Sequence, residues 1–136
     1  MRKLPAVEEA KSLFNEAKDW GMWRWLIEKR RARTTADAAW AALDEYEQKV
    51  KDGWSEDLQK AYRGGRNIDP DLKETVKRLK EAEEEADRVH QEAEDIFAEA
   101  DRRLSTSMAC EGAQRAIEAW EMRESVIRKL EAAGRR

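Results

Sequence analysis

Between Pro70 and Gly134 the chain carries a single glycine, Gly112, and no second proline. One unbroken helix over that stretch would be about 97 Å long at 1.5 Å per residue, far beyond the size of a 136-residue protein. A run so free of breakers must either fold back on itself or organise everything else along its length. Two apolar stripes decide between these. Leu72, Val76, Leu79, Ala86, Val89, Ala93, Phe97, Ala100 and Leu104 share one helical face, whereas Ala109, Ala113, Ala116, Ile117, Trp120 and Ile127 share another. At about 100° per residue the two faces point about 160° apart. Ser105, Thr106 and Ser107 lie between them and are all N-cap residue types, so a turn is expected at 104–108. The alternative is a very long bent C-terminal helix with two or three N-terminal helices packed on it.

The first half is punctuated more openly. Pro5 suits a first helical turn, with Glu8 and Glu9 at the positive end of the helix dipole. Leu4, Val7, Ala10, Phe14 and Ala17 recur at spacings of three and four. From Trp20 to Ile27 the chain is apolar almost all round a helix, so this segment is either wrapped by other elements or bent at Gly21. Thr34-Thr35 followed by Asp37 is expected to cap a new helix, whose stripe is Ala36, Ala39, Trp40, Leu43, Tyr46 and Val50. Gly53 is expected to end it in the left-handed conformation. Ser55 caps a short helix with Leu58, Ala61 and Tyr62 on its apolar side. Gly64-Gly65 stops that helix, and Asp69-Pro70 starts the next.

These signals predict an all-α fold in one domain, residues 1–136. Four arms, about 5–33, 35–63 (in two pieces), 70–104 and 107–133, favour an up-down four-helix bundle. The buried set is expected to include Phe14, Ala17, Trp40, Leu43, Val76, Leu79, Val89, Phe97, Ile117, Trp120 and Ile127. No internal repeat is evident.

Composition narrows the function classes. Cys110 is the one cysteine, so no internal disulfide is possible, and without a neighbouring base it reads as a small packing residue. No apolar run approaches about 18 residues, and the opening MRKLPAVEEAKS lacks the apolar core of a signal peptide. A cytoplasmic location is therefore expected. The net charge of −3 conceals a local asymmetry. Residues 24–33 hold five basic side chains and one acid, and residues 81–101 hold ten acids and one base, Arg88. A single short basic stretch in an acidic chain argues against nucleic acid as a partner. The two stretches are suited instead to neutralise each other, within one chain or between two.

Few residues offer chemistry. The one histidine, His90, stands at the edge of an apolar stripe, where a boundary role is the simplest reading. Asp87-x-x-His90 has the spacing of the Glu-x-x-His element in di-iron bundles, with Asp in place of Glu. A metal site would need a second such element from another copy and further carboxylates from Asp44, Glu45 or Glu47. Glu84/Asp87 and Glu92/Asp95 have Mg²⁺-ligand spacing, but the first half offers no matching inward-facing pair. No glycine-rich phosphate loop is present. Neither a metal nor a cofactor is expected, with Asp87 and His90 kept as the alternative.

Six tryptophans remain to be explained, and Trp20, Trp23 and Trp25 directly precede the basic cluster. They do not share a face, which argues against a membrane-surface helix. Core packing explains some of them, because each ring buries a large area. A helix in a bundle buries about half its circumference, so some of Met22, Trp23, Trp25 and Leu26 should point outward or be covered by another chain. Trp and Arg are also the residue types enriched at interface hot spots. The expected partner-binding residues are therefore Trp20, Trp23, Trp25, Lys29, Arg30, Arg31 and Arg33. The expected function is a non-enzymatic helical-bundle protein that binds a protein partner or a second copy of itself; the alternative is a carboxylate/His metal-binding protein or metal-dependent enzyme.

Overall fold

The computed structural model describes residues 2–135. Five helices and no strands make up these residues: α1 (Pro5–Ala17), α2 (Met22–Asp52), α3 (Glu56–Tyr62), α4 (Pro70–Arg103) and α5 (Thr106–Gly134). No helix among them is long and apolar enough to cross a membrane.

The long C-terminal run folds back where its apolar phase changes. Ser105 caps α5 by accepting from the Met108 N–H at 3.2 Å. Leu104 turns the chain in the left-handed conformation, φ 50°, a role normally taken by glycine. Ser55 and Asp69 cap α3 and α4 as their sequence positions predict, accepting from Leu58 N–H and Asp71 N–H.

The first two arms are divided differently from expectation. Thr34 and Thr35 start no helix: α2 runs through them, and the Thr34 hydroxyl donates back to the Arg30 carbonyl at 3.0 Å. The break comes after Ala17, at the bend that Gly21 offered, where Gly21 in an extended conformation leads into α2. Breaking there lets Trp20 turn inward from the connection while Trp25 turns inward from the helix, which resolves the all-round apolar run. Gly53 also ends α2 in the right-handed region, φ −82°. The left-handed glycine is Gly64, φ 82°. The arms are consequently unequal, three long helices accompanied by two short ones.

Side-chain pairs fix the relative directions. Lys11 meets Glu124, and Lys18 donates to Gln114 at 3.1 Å, so α1 runs opposite to α5. Trp40 packs near Trp120, and Tyr46 donates to Glu131 at 3.0 Å, so α2 runs with α5. α4 and α5 form an extensively packed antiparallel pair. They are in tight contact at Gly112, where an added Cβ would come within 2.9 Å of the Phe97 ring.

The core falls into two parts. One joins Val7, Leu13, Phe14, Trp25, Leu43, Trp120 and Ile127 from α1, α2 and α5 with alanines of α4. The other gathers Leu58, Val76, Leu79, Val126 and Leu130 round Trp54, whose indole N–H donates to the Leu130 carbonyl at 3.0 Å. Nine of the eleven residues expected in the core are buried. Trp40 and Phe97 are only half-buried. Both line an opening between α2 and α4.

Arg123 ties the three long helices together. Its guanidinium lies 2.9 Å from Asp44, 2.7 Å from Glu47 and 3.8 Å from Asp87. Burial acts to lower its pKa, but the carboxylates of Glu47, Asp44 and Asp87 outweigh it and hold the pKa raised.

Candidate partner-binding groove and ridge

The opening between α2 and α4 is a groove of about 720 Å³. Its floor is aromatic, with Phe14, Trp25, Trp40, Phe97 and Trp120. Two stacked pairs make much of that surface. The Trp25 and Phe97 rings lie 7° from parallel with centroids 4.9 Å apart, and the Trp40 and His90 rings lie 25° from parallel at 4.0 Å.

The walls carry opposite charge. α2 contributes Lys29, Arg30 and Arg33, together with Asp37; α4 contributes Glu94, Asp95 and Asp101. The carboxylates on α4 each have a local partner. Glu94 meets His90 Nε2 at 3.1 Å, Asp95 accepts from Gln91 at 2.9 Å, and Asp101 accepts from the Trp25 indole N–H at 3.0 Å. Lys29, Arg30 and Arg33 pair with no carboxylate among the described residues. No described ion pair joins residues 24–33 to residues 81–101, so the two stretches face each other across the groove without a direct ion pair.

Of the seven residues expected to bind a partner, two pack into the core, and one of these, Trp25, also lines the groove. Trp20 and Trp25 are buried, with centroids 6.3 Å apart. Trp20 is covered on its outer side by the Arg24 guanidinium, 4.8 Å from the ring centroid. Trp23 behaves in the opposite way and is 82% exposed. Lys29, Arg30, Arg31 and Arg33 are all exposed, and Arg31 lies 3.5 Å from Glu28.

Trp23 is joined by a residue that the sequence did not single out. Ile27, one helical turn on, is 76% exposed, and the two form an apolar ridge on α2. Arg30 lies about 20° round the helix from Trp23, between this ridge and the groove-lining Arg33. Leu104 is the other exposed large hydrophobic residue among those described. It lies at the end of α4, beside the start of α2 that the Trp25–Asp101 bond fixes there.

The alternative metal residues point in different directions. Asp87 Oδ1 lies 3.8 Å from Arg123, whereas His90 stacks on Trp40 and turns Nε2 to Glu94. Among the described residues no three His, Cys, Asp or Glu side chains group as a metal set. Cys110 is half-buried and free.

No protein-family model matches the chain, and neither a curated protein nor a solved structure matches it.

Proposed function

We propose that this protein is a non-enzymatic interaction protein, and that the partner it binds is a second copy of itself. The framework is read as an up-down bundle in which α1, α2, α4 and α5 alternate in direction and α3 is a short connecting arm. The outward part of the Trp20–Arg33 segment carries the contact: Trp23, Ile27 and Arg30. The observation behind this reading is that Trp23 and Ile27 stand exposed beside Arg30, one of three cations (Lys29, Arg30 and Arg33) with no acidic partner among the described residues. The same chain also carries a dense acidic stretch at 81–101 that those cations do not reach. Lone exposed apolar residues are ordinary, but a Trp-Ile ridge flanked by unpaired Arg has the composition of an interface hot spot.

Sedimentation velocity over a range of protein concentration and salt tests the reading. The protein is expected to associate, less strongly as salt rises, because Arg–carboxylate contacts at the rim are screened. Trp23→Ala and Ile27→Ala should each weaken association while leaving the denaturation midpoint of the monomer unchanged. A wild-type protein that stays monomeric at every concentration and salt sinks the reading.

A further inference from the structure

We infer that the occupant of the α2–α4 groove is the Trp23–Ile27 ridge of a second copy, docked reciprocally. This rests on the self-association proposed above and assigns it a socket. The chain carries one convex apolar element and one concave one, about a third of a turn apart round the same helix. A two-fold axis that seats the ridge of the first copy in the groove of the second necessarily makes the converse contact too. A groove of about 720 Å³ with an aromatic floor can accept bulky apolar side chains of this kind.

Charge selects how the ridge enters. One flank carries Arg30, which has no acidic partner among the described residues. The other carries Arg24 and Arg31, each held by a carboxylate of its own chain, Glu16 at 2.7 Å and Glu28 at 3.5 Å. The groove has an acidic wall on α4, with Glu94, Asp95 and Asp101, and a mainly basic wall on α2, with Lys29, Arg33 and Asp37 and with Arg30 at its edge towards the ridge. Arg30 therefore faces the acidic wall, where it gains the partner that its own chain does not provide. The neutralised flank faces the basic wall without repulsion. The reverse orientation would set Arg30 against Lys29 and Arg33, which costs affinity and so fixes the register.

Complementation between two defective copies is the test. Ala98→Trp fills the groove from an exposed position on α4 and leaves the ridge intact. Trp23→Ser combined with Ile27→Ser removes the ridge and leaves the groove open. Each variant alone should lose self-association by at least about tenfold in dissociation constant, or about 1.4 kcal/mol. Their equimolar mixture should recover a mixed dimer, because one ridge and one groove remain compatible. Asp95→Lys and Arg30→Glu provide a second pair that acts through charge, should Ala98→Trp disturb the fold as judged by circular dichroism. If the wild type dimerises but neither mixture associates better than its separate components, the groove is not the socket, although self-association itself stands. Undiminished dimerisation of Ala98→Trp overturns the inference in the same way and leaves the groove to a smaller ligand. A wild type that never dimerises removes both proposals.

Discussion

The indole N–H of Trp25 donates to Asp101 Oδ1 at 3.0 Å, and that bond closes one end of the groove by tying the start of α2 to the end of α4. Trp25 contributes in two ways, since its ring also stacks on Phe97. Trp25→Phe keeps an aromatic surface and removes the donor. A hydrogen bond to a charged acceptor contributes about 1.5–3 kcal/mol. The variant should therefore be destabilised by roughly that amount in urea denaturation. Asp101→Asn, which can still accept from the indole, should lose less.

Gly112 sets how closely α4 and α5 approach. An alanine in mid-helix normally gains about 1 kcal/mol over glycine. Here its Cβ would meet the Phe97 ring at 2.9 Å, and that ring is stacked on Trp25 and in edge contact with Phe14. Overpacking of this kind costs about 1–3 kcal/mol, which outweighs the helical gain. Gly112→Ala should lower the melting temperature, and Gly112→Ala with Phe97→Leu should recover part of the loss.

Local signals in the sequence reached some features and not others. The caps at Ser55, Asp69 and Ser105 were legible because a short polar side chain satisfies an N–H two or three residues on, whatever surrounds it. The turn at Leu104 was legible from the change in apolar phase, but the left-handed residue that makes it was not, since leucine gives no such signal. Thr34 misled because threonine is also compatible with a helix interior when its hydroxyl bonds back one turn, as it does to Arg30. Of the candidate site, the segment and its cations were legible. Which tryptophan points outward depends on where α2 begins, and the shift of the break to Gly21 decides it: Trp20 and Trp25 turn in, and Trp23 turns out. The groove was invisible because Trp40 and Phe97 look like core residues at any helical spacing. Their half-burial follows from how α2 and α4 are held apart, a tertiary property.

Leu104 adopts φ 50° and ψ 45°, where a side chain costs about 1–2 kcal/mol relative to glycine. The greater freedom of glycine in the unfolded chain offsets about 0.5–1 kcal/mol of that. Leu104→Gly should thus raise stability by roughly 0.5–1 kcal/mol, read as a higher urea midpoint. Leu104→Ala keeps the backbone strain and should show no such gain.

Glu124 is the buried carboxylate of α5, and Lys11 of α1 is its partner. Removing one member of a buried pair strands the other, at a cost of about 3–5 kcal/mol, whereas replacing both with apolar groups is often neutral. Lys11 keeps some solvent contact, so Lys11→Met should fall at or below the lower end of that range. Combining it with Glu124→Leu should return most of the loss. Thermal denaturation of the four proteins in the double-mutant cycle measures the coupling.

Tyr62 bridges Lys51 and Glu83: its hydroxyl accepts from Lys51 Nζ at 2.9 Å and donates to Glu83 Oε2 at 2.7 Å. Burial raises the phenol pKa above its ordinary 10.0; Lys51 opposes this and Glu83 adds to it, leaving the pKa raised. Burial acts to lower the pKa of Lys51, but the bond to Tyr62 and the charges of Glu47 and Glu83 prevail, so it too lies above its ordinary 10.5. Both groups hold their protons more tightly in the folded chain than in the unfolded one. Above pH 10 the unfolded chain releases these protons first, so stability is full below that pH and falls as pH climbs through the raised values. Tyr62→Phe removes the phenol from this linkage together with the bond that does most to raise Lys51, leaving Glu47 and Glu83 to oppose the effect of burial there. Urea midpoints followed from neutral pH to beyond pH 11 should decline in the wild type and decline less steeply in Tyr62→Phe. Parallel declines would show that the phenol carries none of the alkaline sensitivity.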